Sequence, residues 1–137
     1  MRVLGIDYGR RRFGLALSDE ERVLASPLQV YVRCGIDRDM LFICDLVESR
    51  DIGLIVLGMP RDMSGSLGEM AEEVTDFSRL LKERTRLRVA TFDERLTTVE
   101  AERVLVQAGI SRKRRKSLRD SLAAVLILQG YLDSSKG

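Results

Sequence analysis

Residues 2–18 read RVLGIDYGRRRFGLALS and contain two apolar runs separated by one glycine and three arginines. The first run, Arg2–Tyr8, begins with an arginine and is otherwise apolar except for Asp7, which is typical of a buried strand. In Phe13–Ser18 large apolar residues alternate with small ones, which predicts a second strand. The connection Gly9–Arg12 is short, so the two strands are expected to pair as an antiparallel hairpin.

The rest of the chain predicts one edge strand and then helices alternating with strands. Residues 23–32 favour a third strand, and Pro27 within it indicates an edge position because proline cannot donate to a neighbouring strand. The later predicted strands are 52–57 and 87–92, and the predicted helices are 37–50, 69–84, 97–108 and about 118–132. This order favours an α/β fold in which a mixed sheet carries helices on both faces, within one domain of residues 1–137.

Two of the predicted helices have apolar faces that indicate how they pack. The centre of the last helix, Leu122–Leu128, is apolar on nearly all sides, so we expect it to be buried against the sheet. In the first helix the residues at helical spacing are Met40, Leu41, Cys44 and Val47.

The composition excludes several kinds of site. The chain contains no histidine, which excludes a serine or cysteine triad with an imidazole base and the common zinc sites. Cys34 and Cys44 fall in a predicted helical stretch without companions at metal-ligand spacing, so we expect reduced packing residues. The N-terminus lacks the apolar core of a signal peptide, and no apolar run approaches the roughly 18 residues that cross a bilayer. We therefore expect a cytoplasmic protein with no membrane partner.

Charge is distributed unevenly along the chain, although the formal net charge is only +2. Residues 1–110 carry 16 basic and 19 acidic side chains, whereas residues 111–137 carry 7 basic and 2 acidic ones. Six of the eight residues in Arg112–Arg119 (RKRRKSLR) are basic. A basic C-terminal region on a mildly acidic body favours a polyanionic partner, with a solvated charge run as the alternative.

Four acidic residues are candidates for chemistry. Asp7 interrupts an apolar strand, where an aspartate is disfavoured unless it is paired or binds a metal; a bond to the following turn is an equally weighted alternative. Asp93 and Glu94 end the fifth predicted strand, at the end where α/β sheets place ligands. Asp120 opens the last predicted helix, where an acid also serves as a cap. The small residues Ala123–Ala124 on the same face would let that helix approach the sheet.

These acids lie on the first strand, after the fifth strand and on a buried helix, so they meet only if those elements are neighbours. Acids packed together repel one another, and a hard cation that prefers oxygen ligands relieves the repulsion. Mg²⁺ or Mn²⁺ is therefore the expected cofactor, and phosphoryl chemistry is typical of such sites.

Four ordered motifs resemble those of one known family. They are GIDYGRRRFGLALSD (5–19), GMPRDMSGSLG (58–68), FDERLTTVEAE (92–102) and RDSLAAVLILQGYL (119–132). Through them the chain is similar, over essentially its whole length, to the YqgF (RuvX) family of the ribonuclease-H-like superfamily. One small departure is Arg11, where the family often has lysine, so the charge is kept.

The resemblance implies a ribonuclease-H-like mixed five-stranded sheet and a divalent-metal nuclease that hydrolyses phosphodiesters. It implies that Asp7, Glu94 and Asp120 are the catalytic and metal-binding acids; as a hypothesis, Asp7 and Glu94 bind one metal and Asp7 and Asp120 a second. For Asp93 a supporting or structural role is expected. Two substrates are associated with the family, the 5′ end of pre-16S rRNA and Holliday junction DNA. We favour RNA, with ribosomal precursor particles as partners, and keep a DNA junction resolvase as the alternative.

Basic side chains near these acids are candidates for contact with a phosphate backbone. Aromatic residues are few and are not interleaved with the basic run, which favours phosphate contact and shape over base stacking. The expected nucleic-acid-binding residues are Arg11, Arg12, Arg61, Arg95, Arg112, Lys113, Arg114, Arg115 and Lys116.

Other function classes are weighed against the nuclease. A D-x-G opening also occurs in actin-like and hexokinase-like ATPases, but those need two such domains around a nucleotide, and this length supplies one. A non-catalytic RNA-binding ribosome assembly factor would be marked by lost acids, whereas all three are present. A junction resolvase normally needs a symmetric dimer. The sequence indicates no dimer interface, so the oligomeric state is left open.

Overall fold

The computed structural model of the chain describes residues 1–60, 68–93, 109 and 111–135, without the side chains of residues 112–120. The predicted helix 97–108 and the loop positions 61–67 lie outside the described residues. The elements are β1 (Arg2–Asp7), β2 (Arg12–Ser18), β3 (Ala25–Val32), α1 (Ile36–Ser49), β4 (Ile52–Met59), α2 (Glu69–Thr85), β5 (Arg88–Asp93) and α3 (Arg112–Ser134).

The strands form a mixed sheet in the order β3-β2-β1-β4-β5. β1 pairs antiparallel with β2 and parallel with β4, and β5 pairs parallel with β4. β3 lies at the edge, as Pro27 indicated, and the register slips between Leu15 and Ala16, which pairs with Pro27. The predicted mixed five-stranded sheet is therefore confirmed. Because β1, β4 and β5 are parallel, their carboxyl ends meet at the same edge.

One face of the sheet is covered by α1 and α2 and contains the larger apolar core. β1 contributes Leu4 and Ile6 to this core, and β2 contributes Phe13 and Leu15. Successive side chains of a strand point to opposite faces. Val3, Gly5 and Asp7 therefore belong to the other face.

That other face is covered by α3 and is lined by small residues. Gly5 of β1 pairs with Ala16 of β2, and α3 places Ala124 and Leu128 above them in a second core. A Cβ atom added to Gly5 would lie 2.8 Å from the Cβ of Leu128 and 3.3 Å from the backbone oxygen of Ala124. The small residues thus permit the close approach that the alanine pair predicted.

The predicted start of α3 was wrong. The helix begins at Arg112 rather than near Leu118, so the basic run forms its first turns instead of preceding it. Arginine and lysine are good helix formers, but a run of charged residues has no apolar periodicity from which a helix could be predicted. None of the helices among the described residues is long and apolar enough to cross a bilayer.

The predicted buried face of α1 was also wrong in part. Met40 is buried, but it is accompanied by Ile43 and Leu46, whereas Leu41 is 63 % exposed. Because the polar Asp39 also lies on the buried face, the apolar residues alone did not show which side of the helix is buried. Cys34 lies before the helix and is exposed, and both cysteines are free.

Candidate functional site

Asp7 lies at the carboxyl end of β1 and lines a cleft of about 310 Å³. It is half-buried and pairs with Gly14 of β2. The cleft is bounded by the turn that follows, Tyr8–Arg12, and by Met70 of α2. A Cβ atom on Gly9 would lie 2.5 Å from the backbone oxygen of Arg12, so this tight turn requires glycine there. The predicted hairpin thus places an acid and three arginines around one opening.

The chain segment leading to Glu94 ends at the same edge of the sheet as Asp7. Ile6 pairs with Leu57 in β4, and Met59 of β4 pairs with Asp93 of β5. Two strand spacings, roughly 10 Å, separate β1 from β5. Glu94 itself lies outside the described residues.

Asp93 is exposed, and strand alternation turns it away from the face on which Asp7 lies. Phe92, its neighbour, packs in the core beneath α3. Consecutive strand residues point to opposite faces, so Asp93 is directed toward the α1 and α2 side. Its supporting or structural role stays a prediction.

Position 120 lies more than two turns inside α3, because the helix begins at Arg112. The alternative that Asp120 caps the helix N-terminus is therefore wrong. Its side chain lies outside the described part of the chain. Its backbone lies one turn before Ala124, whose carbonyl oxygen faces Gly5, and Gly5 is two residues before Asp7.

The direction of α3 brings its early turns toward the carboxyl end of β1. Gln129, late in the helix, accepts a hydrogen bond from the backbone N–H of Ala25 at 2.9 Å. Ala25 pairs with Ser18, and the Ser18 hydroxyl accepts a bond from the N–H of Val3, at the start of β1, at 2.8 Å. Since the late turns lie beside the start of β1, the earlier turns extend toward Asp7.

The expected metal ligands are chemically suited to a hard cation. Carboxylate oxygens are the donors that Mg²⁺ and Mn²⁺ prefer. Asp7 is the one of the three expected ligands whose side chain is described, and no group of three or more acids or cysteines that suits a metal occurs among the described residues. The full ligand set of Asp7, Glu94 and Asp120 therefore stays a proposal.

The expected phosphate-binding arginines of the hairpin line the same cleft as Asp7. Arg11 and Arg12 are exposed there. Arg10 also lines the cleft, but its Nε donates to Glu73 of α2 at 2.9 Å. This hydrogen bond, with the charge of Glu73, raises the pKa of Arg10 and lowers the pKa of Glu73. The positive charge of Arg10 is thus largely balanced within the protein.

The remaining basic candidates cannot be placed as side chains. Arg61 and Arg95 lie outside the described residues. The basic run occupies the first turns of α3, on the same helix as position 120 and before it. Its members are Arg112, Lys113, Arg114, Arg115 and Lys116.

A buried ion pair beneath the hairpin was not predicted from the sequence. The carboxylate of Asp39 is fully buried and accepts bonds from Arg33 Nε at 2.8 Å, from the Tyr31 hydroxyl at 2.9 Å and from the Cys34 N–H at 3.0 Å. Burial by itself raises the pKa of Asp39, but these bonds favour the ionised form and leave the pKa below its ordinary value. For Tyr31, burial and then its bonds to Cys34 and Asp39 raise the pKa of the phenol.

Arg33 connects this pair to the turn after Asp7. Its Nη1 donates to the Tyr8 hydroxyl at 3.1 Å and to the Gly9 carbonyl at 3.2 Å, and its backbone N–H donates to the Arg11 carbonyl at 3.0 Å. The guanidinium lies 4.7 Å from the centre of the Phe13 ring. Burial lowers the pKa of Arg33, but its bonds to the buried carboxylate and to Tyr8 outweigh burial and raise it.

Comparison with known protein sequences matches nearly the whole chain. Residues 1–134 match the model of the family RuvX, described as Holliday junction resolvase. A protein of Endomicrobium trichonymphae is 45 % identical over 133 residues, covering 96 % of this chain and 95 % of the relative. One of Halothermothrix orenii is 45 % identical over 133 residues, covering 97 % and 95 %. Both relatives are named "Putative pre-16S rRNA nuclease".

Comparison with solved structures identifies a similar fold in two resolvases. The RuvC of T. thermophilus in complex with a Holliday junction substrate superposes with a TM-score of 0.63 at 17 % identity, over 100 % of this chain and 96 % of that one. The Fowlpox virus resolvase with Holliday junction DNA gives a TM-score of 0.64 at 10 % identity, over 100 % of both chains. At such identities the likeness extends to the fold alone.

Proposed function

The chain belongs to the RuvX family, and on that premise we propose that it is a nuclease that hydrolyses pre-16S rRNA and so matures its 5′ end. The observation that carries the proposal is the position of Asp7, half-buried in an arginine-lined cleft at the carboxyl edge of the sheet. The relatives named "Putative pre-16S rRNA nuclease", each matched over 95 % of its own length, support the choice of substrate. Residues 1–137 would act as one domain, in the cytoplasm and on ribosomal precursor particles.

In the proposed mechanism Asp7, Glu94 and Asp120 would hold Mg²⁺ or Mn²⁺. When bound, such an ion supplies Lewis-acid stabilisation of the charge that develops on the phosphate. Asp7 would contribute a donor oxygen from a backbone position that is held by the pairing of β1 with both neighbouring strands. The close packing of α3 over Gly5 supports the proposal that position 120 would lie near that oxygen.

The proposed role of the basic residues is to hold the nucleic-acid backbone across the cleft. Arg11 and Arg12 at its rim would contact phosphates beside the scissile bond. Arg61 and Arg95, with Arg112–Lys116 at the start of α3, would extend this contact along the strand. Because such contacts carry no sequence information, cleavage position would depend on RNA shape.

A second candidate function is cleavage of a four-way DNA junction. It is favoured by the description of the family as Holliday junction resolvase. Paired cuts in a junction require two active sites related by a two-fold axis. Junction cleavage therefore also predicts a dimer.

The experiment that separates the candidates uses the purified protein with end-labelled pre-16S 5′-leader RNA and with a four-way DNA junction. Each is incubated with Mg²⁺, with Mn²⁺ or with EDTA. We expect metal-dependent cutting of the RNA and no symmetric cutting of the junction. Symmetric junction cutting would replace the proposal by the resolvase function. Tight RNA binding without cleavage under any condition would favour a non-catalytic assembly factor.

A further inference from the structure

We propose that Arg33 is a positioning residue of this nuclease, which clamps the turn after Asp7 and thereby fixes the wall of the cleft. The kinetic part of this inference rests on the proposed nuclease function. Arg33 lines no part of the cleft itself, so it would act through the turn and not on the substrate.

The clamp holds the turn at three points. Arg33 bonds to the Tyr8 hydroxyl, to the Gly9 carbonyl and, through its backbone, to the Arg11 carbonyl. All three partners line the cleft beside Asp7. Two of these bonds come from the guanidinium, and the third is a main-chain bond that follows the β2–β3 ladder. The Arg33 side chain therefore adds two contacts to the turn that strand pairing does not supply.

Asp39 aligns Arg33 for this task. It engages the Nε side of the guanidinium, which leaves Nη1 directed at Tyr8 and Gly9. Asp39 is itself fixed by Tyr31 and by the Cys34 N–H. A planar fork with several donors satisfies these partners together, whereas a lysine ammonium is a point charge on a flexible stem and cannot hold the same geometry.

The position of the Arg33–Asp39 ion pair indicates a role in positioning the turn in addition to stabilising the fold. A buried ion pair is costly to desolvate, and apolar residues of similar volume often stabilise a fold equally well. Here the Asp39 carboxylate is fully buried, and the other side-chain hydrogen bonds of Arg33 go to Tyr8 and Gly9 of the turn that lines the cleft. The chain of contacts also reaches the rim, because the Tyr8 hydroxyl donates to Glu73, the partner of Arg10.

The test compares Arg33→Lys with a structural control, Ser18→Ala. Ser18 is buried and its hydroxyl accepts the Val3 N–H at the opposite end of β1. We measure kcat and KM for RNA cleavage and the unfolding midpoint of each protein. Arg33→Lys should lose about 10²-fold in kcat, as expected for a misplaced reacting group, with little change in KM. Ser18→Ala should lose stability but keep kcat. A kcat loss that tracks the unfolding midpoint in both variants would overturn the clamp.

A double variant and amide hydrogen exchange test the clamp independently of RNA cleavage by Arg33→Lys. Arg33→Gln combined with Asp39→Asn removes both charges together and leaves neither one unpaired, and it should show the same loss of kcat. Amide hydrogen exchange, followed by mass spectrometry, should rise in both variants in the segment 8–12 and not elsewhere in β1 and β2. Unchanged protection of that segment would refute the clamp, even if the wild-type protein cut no RNA and the proposed function itself failed.

Discussion

Replacing Gly5 by alanine should push α3 away from the sheet close to Asp7. The new Cβ would lie 2.8 Å from the Cβ of Leu128 and 3.3 Å from the backbone oxygen of Ala124. Neither atom can turn aside, because one is the root of a buried side chain and the other is helix backbone. Overpacking of this kind costs about 1–3 kcal/mol, and the better intrinsic fit of alanine to a strand offsets up to about 1 kcal/mol of that. We expect a net loss of about 1–2 kcal/mol.

Gly53→Ala in β4 is the matched control. There the new Cβ would lie 2.7 Å from the sulfur and 2.9 Å from the Cβ of Met1. Met1 is 65 % exposed, so its side chain can move away more easily than that of the buried Leu128. Urea denaturation followed by circular dichroism gives the free energy of unfolding of each protein. Gly53→Ala should match the wild type or exceed it by up to about 1 kcal/mol.

The activity of the same two variants tests the role of α3. Both should remain folded at room temperature, so a lower cleavage rate for Gly5→Ala alone would report the displacement of position 120 from Asp7. Equal stability of Gly5→Ala and Gly53→Ala would refute the close packing of α3 on β1. Position 120 would then have no structural reason to lie near Asp7.

Three further predictions concern acid stability and nucleic-acid binding. The pKa of Asp39 lies below its ordinary value of 3.8, so its ionised form stabilises the fold above that pH and this contribution is lost as the pH falls through the lowered pKa. Urea denaturation across the acid range should therefore show a flatter pH dependence of the free energy of unfolding for Asp39→Asn than for the wild type. An equally steep dependence would contradict the assignment. Arg11→Ala should weaken RNA binding and reduce the slope of log K against log salt by about 0.7–0.9. Arg10→Ala should change the slope less, because the charge of Arg10 is already balanced by Glu73. Equal changes in the two variants would contradict the different roles of Arg10 and Arg11. Replacing Arg114 and Arg115 together by alanine should weaken RNA binding for all sequences and flatten its salt dependence, and an unchanged slope would remove the basic run from the interface.

The elements with strong patterns were predictable from the sequence. The alternation of large and small residues predicted the strand β2, and the short connection Gly9–Arg12 predicted its antiparallel pairing with β1. The pair Ala123–Ala124 predicted a helix packed closely on the sheet. Gly5 of β1 faces this helix, and its lack of a side chain permits the close packing. These features were accessible because strand and helix periodicities act over a few residues and depend little on distant contacts.

The contacts that shape the cleft were not accessible in this way. Arg33 and Asp39 have no distinctive spacing, since one follows β3 and the other lies in the first turn of α1, where an acid is commonplace. Their pairing depends on the path that the chain takes between the end of β3 and the first turn of α1. The start of α3 was missed for a different reason, because the charged residues of its first turns have no apolar periodicity.

The most direct test of the central claim is the cleavage of pre-16S leader RNA by Asp7→Asn in the presence of Mg²⁺. Asp19→Asn is the matched control, because Asp19 lies beyond β2 and accepts the N–H groups of Val23 and Leu24 through an oxygen that asparagine retains. The cleft acid should be indispensable, so we predict that Asp7→Asn cuts no more RNA than an EDTA blank while Asp19→Asn cuts as the wild type does. Full metal-dependent cleavage by a clean, folded Asp7→Asn preparation would contradict the claim that this cleft is the active site.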